Sequence, residues 1–181
     1  MEVAAADRSL EHVVIVGLMG SGKTTIGRLL ARRLGVAFRD SDAGIEVRTG
    51  RTVRELQEEL GDEAMHEIEA EQLLADLARA ERNVVAAAAS TIESEACRSR
   101  LREADVLVVW LRGSPGVLAA RFDSSRPRPS FGADVEAFLR EQAARRSPLF
   151  ESLDPLTIDI ERKEPTRIVD EIATRIASGG N

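Results

Sequence analysis

The chain has 181 residues, 43% of them hydrophobic and 31% charged, with a formal net charge of −6. Length and composition fit one soluble globular domain over residues 1–181, large enough to bury a good core. The negative balance offers no global field for polyanions, which excludes nucleic acid as a main partner. The longest apolar run, around Val106–Leu111, stops at Arg112, well short of a membrane span. The opening Met1–Asp7 is small and acidic, without the basic start and apolar core of a signal peptide. The single Cys97 allows no intramolecular disulfide and agrees with a reducing cytoplasm. A cytoplasmic monomer with a small-molecule substrate is the expectation.

Residues 1–11 read as a flexible lead-in. Val13–Val16, four β-branched apolar residues, read as a buried strand. The next eight residues, Gly17–Thr24, spell G-x-x-x-x-G-K-T, and Ile26, Leu29, Leu30 and Leu34 follow at helical spacing. Strand, glycine-rich turn and helix in that order mark a phosphate-binding loop. Its glycines permit backbone angles that side chains forbid. The amides of Gly20, Ser21, Gly22, Lys23, Thr24 and Thr25 can then curl around an anion at the positive end of the helix. Lys23 is expected on the β/γ-phosphates and the Thr24 hydroxyl on Mg²⁺, so ATP and Mg²⁺ are the expected cofactors.

The helix stops near Gly35, and Val36–Arg39 reads as a second strand. Asp40-Ser41-Asp42 lies just beyond its carboxyl end, the edge at which open parallel sheets gather ligands. Two residues apart in an extended segment, the carboxylates of Asp40 and Asp42 would face one cleft. One could hold the metal through a water, and the other could bond an acceptor hydroxyl and take its proton. Short helices broken at Gly50 and Gly61 follow, with Thr52 as an N-cap, then a longer helix over 62–80.

Asn83–Ala87 is a third strand, Glu93–Glu103 a helix and Val106–Leu111 a central strand. Ser114-Pro115 opens a further helix. Pro127 and Pro129 exclude a helix over 124–132, leaving an arginine-bearing loop that could close over a nucleotide, a mobile lid spanning about 121–134. Asp134–Arg146 is helical, with Arg145 and Arg146 in its last turn, where the dipole favours cations. Leu156–Ile160 is a last strand, Pro165–Ala177 a last helix and 178–181 a flexible tail. Strands alternating with helices predict a parallel sheet between two helical layers.

With these residues in place the chain resembles the shikimate kinase family over almost its whole length. The likeness rests on Gly17–Thr25, on Asp40-Ser41-Asp42 with Ile45-Glu46-x-x-Thr49-Gly50, on Arg128-Pro129 and on Arg146-Ser147-Pro148-Leu149-Phe150, with Ile158-Asp159 and Pro165. The resemblance implies a three-layer α/β/α P-loop fold like that of nucleoside-monophosphate kinases, with a five-stranded parallel sheet and a mobile lid. It implies transfer of the ATP γ-phosphate to a hydroxyl of shikimate. It places Lys23 and Thr24 at phosphate and metal, Asp40 on the metal's water shell and Asp42 on the substrate diol as base. Arg128 becomes the lid arginine, Arg146 a carboxylate-binding arginine, and Arg121 and Pro165 flank the adenine.

Two departures fall in the acceptor half. Where the family has a Gly-Gly-Gly turn after its third strand, this chain has Ala88, Ala89 and Ser90. Where the family has a Phe-Arg pair on the long helix, this chain has Met65-His66, with Glu69 matching the acid one turn on. A neutral imidazole cannot replace a bidentate guanidinium on a carboxylate. Three readings stay open. The chain is a shikimate kinase in which Arg146 and a protonated His66 share the carboxylate; or it phosphorylates another acceptor, a gluconate-like sugar acid or a cyclitol; or it binds ATP without catalysis.

Overall fold

The structure, a computed structural model, describes residues 10–121 and 134–178. The predicted lead-in up to residue 9, the tail from 179 and the lid over 122–133, with Arg126 and Arg128, lie outside the described residues.

Five strands form one parallel sheet: β1 (His12–Val16), β2 (Ala37–Asp40), β3 (Asn83–Ala86), β4 (Val106–Arg112) and β5 (Leu156–Asp159), in the order β2-β3-β1-β4-β5. Central β1 is buried along its whole length and pairs with β3 and β4, Val14 opposite Val85 on one side and Val108 on the other. A strand of valines and isoleucine has no polar face, so it needs cover on both sides. The helices provide it: α1 (Lys23–Leu34), α2 (Ser41–Thr49), α3 (Val53–Leu77), α4 (Glu95–Leu101), α5 (Pro115–Ala120), α6 (Val135–Glu151) and α7 (Pro165–Ala177). The chain leaves β1 towards β2 in one direction across the sheet and returns from β2 to β3 in the other. Right-handed crossovers therefore put α1 on one face and α3 on the opposite one. Accordingly α1 packs with α7, and α3 with α4.

Local sequence explains most boundaries. Gly35 and Gly50 end their helices with φ of 68° and 70°, and Thr52 with Glu55 forms a reciprocal capping box at the start of α3. Gly61 breaks α3 with φ 82° and ψ 172°, which separates a first arm from the long helix behind it. Ile45, Val53, Leu56 and Met65 pack there as a small apolar cluster of their own, apart from the main core around the sheet.

Four expectations need correction. β2 runs one residue later than read, because Asp40 still pairs with Ala86. The helix expected over 93–103 is shorter, α4 over Glu95–Leu101: Glu93 instead ends a 3₁₀ turn, Ala89–Glu93, and Ser94 is extended between the two and caps α4 through Cys97 N–H. α6 does not stop at Arg146 but continues through Pro148 to Glu151, so Arg145 and Arg146 stand in mid-helix, and the helix-end argument for them fails. Finally, Asp40 and Asp42 are not alternate residues of one strand: Asp40 closes β2 and caps α2, while Asp42 sits in its first turn.

Candidate active site

A cleft of about 640 Å³ opens at the carboxyl ends of β1, β2 and β3. Its floor is the turn from β1 into α1. A Cβ on Gly17 would come within 2.8 Å of the Leu111 carbonyl oxygen, and one on Gly20 within 2.5 Å of that of Leu118. Gly20 and Gly22 also hold φ of 81° and 88°, the region side chains avoid. The loop is thus pressed against β4 and α5 and curls as only glycine allows. No side chain caps α1 at Gly22. The first turn of a helix has no carbonyl further back to accept its amides, which leaves a positive pole at the cleft wall formed by Gly22, Lys23, Thr24 and Thr25. Lys23 Nζ lies in the same turn, donating to the carbonyls of Gly17 at 2.9 Å and Leu18 at 3.3 Å.

Gly20, Gly22, Lys23, Thr24 and Thr25 all line the cleft, whereas Ser21 lies beneath it. The Ser21 amide donates to Leu18 O at 3.2 Å, and its hydroxyl is buried beside the backbone of Gly17 with no hydrogen-bond partner among the described residues. Its part is to support the turn from below.

Thr24 Oγ1 donates to Asp40 Oδ2 at 2.7 Å, bringing the first turn of α1 to the end of β2. The other oxygen, Oδ1, accepts the amides of Asp42 at 3.1 Å and Ala43 at 3.4 Å. That cap fixes the carboxylate, so Oδ2 is held facing the Thr24 hydroxyl. Paired hydroxyl and carboxylate oxygens beside a phosphate loop suit a hard cation such as Mg²⁺, which keeps several of its waters. The residues present therefore fit both a triphosphate and its metal. Asp42, half-buried in the first turn of α2, lines the same cleft.

Across the cleft stand α3, the 3₁₀ turn and α6. Ala88, Ala89 and Ser90 line it. Ala88 has φ −61° and ψ 144°, and among the described residues the only non-glycine positive φ values belong to Asp154 and Arg162. Ala88, Ala89 and Ser90 thus stand on a 3₁₀ path that any L-residue can follow. Buried Ser90 donates its hydroxyl to buried Glu69 of α3, tying the turn to that helix.

His66 is half-buried on the same wall. Burial and the nearby charge of Arg146 lower its pKa below 6.5, with Arg145 acting in the same sense against the opposite pull of Glu93 and Asp62. Both effects work against the protonated His66 expected beside Arg146.

Arg146, 8% exposed, donates from Nε to Glu93 Oε1 at 2.5 Å. Arg145 reaches the same oxygen at 2.9 Å and also donates to Gln142 Oε1 at 3.3 Å. Burial works against ionisation of Glu93, but the hydrogen bond and charge of Arg146, with Arg145 beside it, hold its pKa below the usual carboxylate value. Glu93 escaped the sequence reading because it was placed inside a helix. Its role comes from the 3₁₀ turn that aims it at α6.

Of the two expected adenine neighbours, one lines this cleft. Arg121 lines the cleft and donates to the Ile160 carbonyl at 2.9 Å. Pro165 is exposed at the start of α7 and is not among the described residues lining the cleft.

Comparison with known proteins agrees with this geometry. The family model described as shikimate kinase matches residues 19–177. A shikimate kinase of Thiobacillus denitrificans is 38% identical over 154 residues, covering 84% of this chain and 83% of the relative. One from Mycobacterium avium is 34% identical over 163 residues, covering 90% and 92%. Shikimate kinase from Acinetobacter baumannii, solved in complex with shikimate, superposes with a TM-score of 0.87 at 30% identity, covering 96% of this chain and 97% of the other. A gluconokinase from Sinorhizobium meliloti shares the fold at a TM-score of 0.67 and 23% identity, covering 95% of each chain.

Proposed function

Because the chain belongs to the shikimate kinase family, we propose that it transfers the γ-phosphate of ATP to a hydroxyl of shikimate. The observation that carries this reading is one cleft shared by the phosphate loop, the Thr24–Asp40 pair, Asp42 and Arg146. The amides of Gly20, Gly22, Lys23, Thr24 and Thr25 cradle the β- and γ-phosphates, with Ser21 bracing the loop, and the Lys23 ammonium balances their charge. Thr24 and Asp40 hold Mg²⁺, which when bound neutralises charge on the phosphate oxygens. Arg121 and Pro165 are assigned to the adenine, and Arg128 to the transferring phosphoryl group.

On the acceptor side, Asp42 hydrogen-bonds the hydroxyl and takes its proton as the oxygen attacks the γ-phosphorus. The bond from phosphorus to the bridging oxygen breaks, and ADP leaves. Arg146 binds the acceptor's carboxylate, while His66, Ala88, Ala89 and Ser90 shape the surrounding wall. The reading includes a cytoplasmic monomer. Cys97 is buried, and among the described residues no helix is long and apolar enough to cross a membrane.

The test is ADP release with shikimate, gluconate and a panel of cyclitols as acceptors. Faster release with shikimate than with the others is expected. No release with shikimate above the ATP-only background overturns the assignment. The neutral His66 and the Ala88-Ala89-Ser90 wall favour a second reading, a different polyol acid as acceptor, and the same panel would reveal it.

A further inference from the structure

Two consecutive guanidiniums, Arg145 and Arg146, converge on one oxygen of one carboxylate, Glu93 Oε1, at 2.9 and 2.5 Å. Both arginines line the cleft. They differ in setting: the side chain of Arg146 is 9% exposed, that of Arg145 49%. Two cations on one anion leave the Arg145–Arg146–Glu93 cluster itself with one positive charge. His66, the titratable group facing them from α3, is uncharged at neutral pH. Asp62, which faces His66 from the kink in α3, also lines the cleft but forms no ion pair with either arginine among the described residues.

We infer that Arg145 is a specificity-determining residue: with Arg146 it forms a two-guanidinium clamp for a carboxylate on the acceptor, and Glu93 positions both. This rests on the kinase reading above but not on shikimate as the acceptor. Arg146 is buried and fixed by Glu93 through Nε, a bond that leaves its terminal nitrogens for a second carboxylate. Arg145 sits one residue earlier on α6 with its side chain half in solvent, so it can turn from Glu93 to an incoming anion at little cost. The surplus charge of this cluster therefore comes from α6. An acceptor with one carboxylate completes the balance, and an uncharged polyol does not.

The test compares kcat/KM for shikimate with that for its methyl ester in the wild type, Arg145→Gln and Arg145→Lys. Arg145→Gln should lower the preference for acid over ester by about tenfold or more, through KM for the acid. Arg145→Lys should keep most of that preference, while KM for ATP and the melting temperature stay unmoved. An acid-to-ester ratio equal in wild type and Arg145→Gln overturns the clamp while leaving shikimate phosphorylation intact. If the wild type ignores shikimate but phosphorylates another polyol acid, the acceptor assignment falls, and the clamp is judged by the same ratio for that acid and its ester. A wild type that prefers an uncharged polyol overturns both.

Discussion

Thr24 and Asp40 meet at 2.7 Å, hydroxyl to carboxylate, although one lies in the first turn of α1 and the other closes β2. Because Asp40 also caps α2 through its second oxygen, its two jobs can be separated. Asparagine caps a helix about as well as aspartate but carries no charge for a metal. Asp40→Asn should therefore leave stability within about 0.5 kcal/mol, since its amide oxygen can still accept the Asp42 amide. Turnover should fall and the Mg²⁺ concentration for half-maximal rate should rise, read by metal titration of the initial rate. An unchanged metal dependence would remove Asp40 from the cation site.

Gly20 and Gly22 offer a paired test of the phosphate loop. Both hold positive φ, but a Cβ at Gly20 meets the Leu118 carbonyl at 2.5 Å, whereas one at Gly22 meets nothing within 4 Å. Gly22→Ala should cost only the left-handed backbone strain, about 1–2 kcal/mol. Gly20→Ala adds a backbone clash and should cost roughly 1–3 kcal/mol more. Urea unfolding of both variants checks the order, and equal losses would contradict the packing of the loop against α5.

Much of this was legible in the residues. The valine run, the glycines and the helical spacing after Lys23 specify strand, loop and helix locally, and α7 starts and stops where its proline and apolar stripe say. The acceptor half was less so, because its geometry is tertiary. The helix read as ending at Arg146 runs on through Pro148 to Glu151. Glu93 looks like any helical surface acid until the 3₁₀ turn brings it to Arg146. Asp40 and Asp42 did reach one cleft, though by a cap and a first helical turn, not by strand alternation.

Ser90 binds the altered turn to α3 through Glu69, and both side chains are buried. Ser90→Ala deletes a hydrogen bond to a charged group and should destabilise the fold by about 1.5–3 kcal/mol. The loss should also loosen the wall formed by Ala88 and Ala89, raising KM for the acceptor with KM for ATP unchanged. A denaturation midpoint equal to wild type would show that the Ser90–Glu69 contact holds nothing in place.

His66 makes the stability of the fold depend on pH in a stated direction. Its folded pKa lies below 6.5, through burial first and the charge of Arg146 second. The unfolded chain therefore takes up the proton before the folded one. Stability attributable to this residue is full above about pH 6.5 and falls as the pH drops towards the lower folded value, where the loss levels off. Glu93 works in a separate window: its pKa is held below 4.5 by Arg146 and Arg145, so its contribution is lost only under more acid conditions. Urea midpoints between pH 5 and 8 should thus decline on the acid side in the wild type, and His66→Gln should flatten the part of that decline nearest pH 6.5. Protonation would also add a third positive charge beside Arg145 and Arg146, so affinity for an acidic acceptor should rise, not fall, as the pH is lowered through the same range. An acceptor KM with the same pH dependence in the wild type and in His66→Gln would place the imidazole away from the acceptor's carboxylate.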